Sequence, residues 1–129
     1  MSESTDIDGI ANAYRTYVET FNTGDGAAVA RLMGYPVMVG GSGHAPGVMQ
    51  DEAAYASMIG NTFEHFRKLG WVRSQIDRLE AVEAGGDTGI VSADFSRYRA
   101  DGSMIEAGTG HYVTRKIDGT WRIVAAIVG

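Results

Sequence analysis

Tyr17, the pair Arg97 and Glu106, and His44 are the side chains of this 129-residue chain whose types and positions could do chemistry. Tyr17 falls on an apolar stripe with Ile10, Ala13, Tyr14, Val18 and Phe21, at the three-and-four spacing of a helix face. A tyrosine buried there needs a hydrogen-bond partner, either a ligand oxygen or a backbone group. Arg97 and Glu106 are brought opposite each other by a hairpin, because Asp101-Gly102 between alternating apolar residues is a strong turn signal. Desolvated, the pair could fix a carboxylate, or Glu106 could act as a general base. Close to an exposed turn it would instead be an ordinary cross-strand ion pair contributing roughly 0.2–1 kcal/mol. His44, in the glycine-rich stretch from Gly40 to Gly47, could move protons near neutral pH or be a solvated loop residue.

These residues need elements to hold them. The spacing predicts a first helix from Asp6 or Asp8 to Phe21, its acidic start complementing the helix dipole. Residues 1–6 read as a loose tail and 7–129 as a single domain. Asp25 caps a short second helix carrying Val29, Leu32 and Met33 inward, ended by Gly34. A strand from Tyr35 to Val39 and the glycine loop follow. Asp51 caps a third helix whose stripe is Tyr55, Met58, Ile59, Thr62, Phe66 and Leu69, with Gly70 as terminator. A strand from Trp71 to about Ala84 leads through Gly85-Gly86-Asp87 into two hairpins turning at Asp101-Gly102 and Asp118-Gly119. The order is that of an α+β fold, a curved antiparallel sheet with helices on one side.

Two-residue turns at both Asp-Gly pairs place Phe95 opposite Gly108, Ala93 opposite Gly110 and Val91 opposite Tyr112. They place Lys116 opposite Trp121, Thr114 opposite Ile123, Tyr112 opposite Ala125 and Gly110 opposite Ile127. The inward face is then Val91, Ala93, Phe95, Tyr112, Trp121, Ile123, Ala125 and Ile127. The outward face holds Ile90, Ser92, Asp94, Tyr98, Ile105, Thr109, His111, Val113, Arg115 and Val124, and its mixed character suits solvent or a homodimer interface. Gly108 and Gly110 point inward, leaving room either for a ligand or for sheet bending and close packing. Tyr35, before Pro36, belongs to a pocket rim or the core, and Tyr112 is central. With Val39, Met58, Phe95 and Arg97 these are the expected binding residues.

Composition excludes several classes. Net charge is −5, and the 11 basic residues form no cluster, which argues against nucleic acid. No apolar run reaches membrane-spanning length. The polar, acidic start, Met1 to Asp8, is unlike a signal peptide and predicts a cytoplasmic protein. Without cysteine, disulfides and thiolate sites are excluded, and His44, His65 and His111 are too dispersed for a metal site. Gly40-Gly41-Ser42-Gly43 lacks the lysine and helix of a phosphate loop, so no cofactor is expected.

The string Tyr17-Val18-Glu19-Thr20-Phe21-Asn22-Thr23-Gly24-Asp25, the ending Asp118-Gly119-Thr120-Trp121-Arg122-Ile123 and the order of elements resemble the nuclear transport factor 2-like superfamily, especially its small bacterial SnoaL-like members. The resemblance implies a cone-shaped, cystatin-like fold, a sheet wrapped around three N-terminal helices, with a pocket at the open end and a dimer through the outer sheet face. It implies either a cofactor-independent isomerase, cyclase, dehydratase or hydrolase acting on a small apolar oxygenated molecule, or a non-catalytic binding or dimerisation module. Tyr17 stands where ketosteroid isomerase carries its oxyanion-donating tyrosine. The isomerase's two aspartates would fall near Gly41 and at Gly110, so both carboxyls are missing. Arg99 and Asp101 make no clear match to the epoxide hydrolase triad. A shared fold does not transfer chemistry, and Tyr17, Glu106 and His44 remain the candidate catalytic residues.

Overall fold

A computed structural model describes residues 3–41 and 44–129, and the side chains of all of these except 3–5 and 44. Helix α1 spans Glu3–Phe21. It begins earlier than the acidic cap at Asp6 or Asp8 predicts, so residues 3–6 are helical rather than a tail. Asp6 lies inside the helix and reaches Lys116 at 3.5 Å. Ile10, Tyr14, Val18 and Phe21 are buried along one side, as their spacing requires. Beyond the helix end, Asn22 clamps the backbone of residue 74: its Nδ2 donates to the Ser74 carbonyl at 2.9 Å, and the Ser74 amide donates to its Oδ1 at 2.7 Å. This ties α1 to the sheet that will form the opposite wall.

Asp25 accepts from the Ala28 amide and caps helix α2, Gly26–Ala30. The helix stops before Gly34, which lies inside strand β1, Met33–Gly41. Gly34 is a spacer there: a Cβ would meet the side chains of Ile117 and Val124 at 2.9 Å. The expected glycine loop is instead a hairpin, because strand β2, His44–Met49, pairs antiparallel with β1. Asp51 caps helix α3, Glu52–Lys68, and Gly70 ends it at φ +87°. The buried residues of α3 are Tyr55, Ile59 and Phe63. Strands β3, Trp71–Glu83, β4, Thr88–Arg99, β5, Met104–Ile117, and β6, Thr120–Val128, complete the chain.

The sheet is six-stranded in the order β2-β1-β6-β5-β4-β3. It is mixed, not wholly antiparallel, since β1 runs parallel to β6. Helix α3 joins β2 to the far edge strand β3, a crossover that brings the helices onto one face. Bulges in β1, β3, β4, β5 and their partners bend the sheet around α1 and α3.

Register decides which side chains enter the cone. Arg97 pairs with Glu106, Phe95 with Gly108, Ala93 with Gly110 and Val91 with Tyr112, as the turn residues predict. The turn itself differs. Arg99 N–H bonds to the Ser103 carbonyl and Gly102 N–H to Arg99, with Gly102 at φ +87°, so the loop has three residues and Ala100 does not pair with Ser103. A bulge between Arg97 and Tyr98 restores the expected pairing. In the second hairpin Thr114 faces Ile123, but a bulge then shifts the register, and Tyr112 faces Ala126 and Gly110 faces Val128. One residue of slip exchanges the faces: Ala126 and Val128 turn inward, while Ile127, expected inside, is 37% exposed. Ile105, expected outside, packs against the core.

The core lies between α1, α3 and the sheet. Phe63 stacks on Trp71 at 5.7 Å and meets Phe21 edge-on at 4.7 Å. No helix among the described residues is long and apolar enough to cross a membrane.

Candidate functional site

The bend leaves a cavity of about 530 Å³ between α1, α3, the β1–β2 hairpin and β6. Val39 and Met49 come from the hairpin, Met58, Ile59 and Phe66 from α3, and Ala126 and Val128 from β6. The polar side chains among its lining residues are few: Tyr17, Tyr55, Thr62 and Arg97. Thr62 is already bonded to the Met58 carbonyl of its own helix. A smaller space of about 40 Å³ continues inward between Tyr14, Tyr17, Ser74, Phe95, Arg97 and Tyr112, room for water-sized occupants.

Arg97 is the least expected feature. It lies only a few residues from the turn, yet its side chain is 13% exposed. Its guanidinium carbon sits 4.4 Å from the Phe95 ring centre and 4.5 Å from that of Phe66. Nε donates to Glu106 at 2.9 Å and Nη1 to the Ser74 hydroxyl at 3.3 Å. Flanking rings stabilise a cation through their π faces and exclude water from around it. Cross-strand pairing brings Glu106 to Arg97, as register predicts; α3, through Phe66, makes one partner buried. Glu106 stays half-exposed and borders an outer depression with Gly108 and Ala107, not the main cavity.

Tyrosines surround the arginine. Tyr14 and Tyr112 are tilted at 4.7 Å, and Tyr17 lies 6.0 and 5.9 Å from them. Tyr112 is hydrogen-bonded to Tyr14, and Tyr55 to Tyr17. Burial dominates every one of these phenols. It raises Tyr14 to about 12 and pushes Tyr55 and Tyr112 far above the ordinary range. Tyr17 is raised too, opposed by nearby Arg97 and the hydrogen bond with Tyr55. Its solvent exposure is only partial and opens onto the cavity, while protein atoms crowd every other side, so desolvation still outweighs its two stabilising neighbours. All are neutral donors at physiological pH.

The remaining predicted residues fall in different places. Tyr17, Val39, Met58 and Arg97 converge on the main cavity, whereas Phe95 and Tyr112 line the smaller one. Gly110 lines neither, because the Tyr112 ring lies over it, and the Phe95 ring likewise covers Gly108. These glycines make room for the chain's own aromatics. Tyr35 donates to the Ala30 carbonyl at 2.6 Å and packs on Tyr55 behind the cavity wall; burial raises it to about 12. His44 lies in β2 opposite Gly41, and its side chain is outside the described residues. His65 borders an open surface hollow on α3, and His111 bonds to Ser92 on the outer sheet face. No group of three or more metal-ligating side chains occurs among the described residues.

Tyr55 and Phe66, placed by their spacing on the apolar stripe of the third helix, are cavity residues, as is Met49, for which the sequence pattern suggested no role. A signal for Tyr55 existed: two tyrosines on buried stripes of different helices each need a polar partner, and each can be the other's.

A family model described as NTF2-like protein (DUF6841), where NTF2 is nuclear transport factor 2, matches residues 5–129. No curated protein matches the sequence. Among solved structures, an NTF2-like protein with a cystatin-like fold from Novosphingobium aromaticivorans superposes with a TM-score of 0.76 at 19% identity, over 94% of this chain and 79% of that one. An NTF-2 like protein from Shewanella oneidensis gives 0.73 at 16% identity, over 94% and 96%. A ketosteroid isomerase-like protein from Erwinia carotovora atroseptica gives 0.67 at 18% identity, over 95% and 94%. At these identities the likeness concerns the fold.

Proposed function

Because the chain belongs to the NTF2-like family DUF6841, whose sheet bends around its helices, we propose that it is a small-molecule pocket protein that takes an apolar, oxygen-bearing compound into the cone. The observation that carries this reading is the 530 Å³ cavity, apolar on most sides, with Tyr17 and Arg97 as its polar anchors. Its size and its few convergent polar groups are those of small-molecule sites.

Binding ranks ahead of acid–base catalysis. Proton transfer needs a base within hydrogen-bond reach of the substrate. Among the described side chains lining the cavity none is a carboxylate or an imidazole. Glu106 is held on the far side of Arg97, in the outer depression. Tyr17 keeps the role of an oxygen-binding group, because it lines the cavity and burial keeps its phenol protonated.

Titration with the neutral ketone 2-acetylnaphthalene, followed by NMR, tests the reading. Saturable shifts at Val39, Met58 and Ala126 are expected, weakened about tenfold in Tyr17→Phe. Absence of saturable binding, or shifts confined to the outer surface, would refute it. The same proposal includes a homodimer through the outer face around Ile90 and Val113, with exposed Val82 and Ile127 beside them. Sedimentation at micromolar concentration should give the dimer mass, and a monomer would remove that part.

A further inference from the structure

Resting on that pocket reading, we propose that the occupant of the cone is an anion: a small apolar molecule ending in a carboxylate, its oxygens bound by the Nη groups of Arg97 and the hydroxyl of Tyr17.

Arg97 has more donors than the protein uses. A guanidinium carries five N–H groups. Glu106 takes Nε, Ser74 takes one proton of Nη1, and Nη2 has no partner among the described residues. No buried side-chain nitrogen or oxygen is left without a partner among those residues, so Nη2 must open onto space that Arg97 borders. Tyr17 shares two such spaces with Arg97, the main cavity and the smaller one behind it, and brings its hydroxyl to them. Thr62, the other cavity hydroxyl, is spent on the Met58 carbonyl. The cavity's lining side chains therefore include a cation with spare donors and no carboxylate to match it, and a ligand's oxygens supply one.

Charge balance distinguishes a carboxylate from a neutral carbonyl. Glu106 balances Arg97 incompletely: it touches only Nε, through one oxygen, and is 50% exposed, so water and salt screen its charge. Phe66, in the cavity wall, and Phe95, on the smaller space, flank the guanidinium and exclude water from it, so the cation's field is screened less there than at the Glu106 side. A planar guanidinium fork also matches a carboxylate. A dianionic phosphate would carry a second charge into apolar walls with no further cation among the lining residues.

Calorimetry on the intact chain with 2-naphthoate and its neutral analogue 2-naphthamide decides the matter. The wild type should bind the carboxylate at least about tenfold more tightly. Arg97→Met should erase that preference while the amide still binds, and Glu106→Gln should tighten the carboxylate alone. Equal affinities in the wild type, or a preference that survives Arg97→Met, would overturn the anion assignment and leave the pocket reading standing. Failure of both compounds to bind would overturn the two together. Should Arg97→Met lose its dispersed NMR spectrum, Glu106→Gln carries the decision: an unchanged carboxylate affinity then overturns the assignment.

Discussion

Alkaline pH should destabilise this protein through its buried phenols. Tyr14, Tyr55 and Tyr112 are 1%, 2% and 3% exposed. Burial raises each of them, Tyr14 to about 12, from an unfolded value of 10.0. The folded chain thus keeps protons that the unfolded chain releases. Stability is complete below the unfolded value and falls as pH rises from 10 towards 12. One pH unit above the unfolded value, each such tyrosine favours unfolding by about 1.4 kcal/mol, and the group by about 4 kcal/mol. Domains of this size hold roughly 5–15 kcal/mol in all. Urea unfolding followed by tryptophan fluorescence, at a series of pH values up to about 11, should show the midpoint falling by more than about 1 M. In Tyr14→Phe the fall should be smaller by one tyrosine's share, about 1.4 kcal/mol one unit above the unfolded value, although the variant starts less stable because the hydrogen bond with Tyr112 is lost. A midpoint that holds steady, or tyrosinate absorbance that develops at ordinary pH in a protein still folded, would refute the sealed phenol cluster.

Phe63→Ala removes a ring that is 1% exposed and packed on Phe21 and Trp71, and should cost about 3–5 kcal/mol in thermal or chemical unfolding. Two glycines should respond with opposite signs. Gly110→Ala drives a methyl into the Tyr112 ring, 2.7 Å from Cζ, and should destabilise by about 1–3 kcal/mol. Gly60→Ala, within α3 and with nothing within 4 Å of the new methyl, should stabilise by about 0.5–1 kcal/mol. A Gly110→Ala protein as stable as the parent would mean that the tyrosine ring lies elsewhere.

The local features of this chain were legible in its residues. Asp25 and Asp51 cap their helices because a short carboxylate reaches the free amide three residues on, whatever the rest of the fold does. Gly70 ends α3 because it adopts φ +87° at little cost. Opposing Arg97 and Glu106 followed from an Asp-Gly turn and alternation alone, even though the real turn is one residue longer and a neighbouring bulge compensates. Contacts between distant segments were decided by the tertiary structure. The bulge after Val113 exchanges Ala125 and Ile127 for Ala126 and Val128 at the cavity wall, a choice made by what the helices need beneath them. The parallel pairing of β1 with β6 depends on strands some ninety residues apart, and no local pattern announces it. Arg97 shows the division within one residue. Its partner in the next strand could be read from the sequence, but its burial comes from Phe66 on a helix thirty-one positions away, and that burial turns a surface ion pair into a cation at the wall of a pocket.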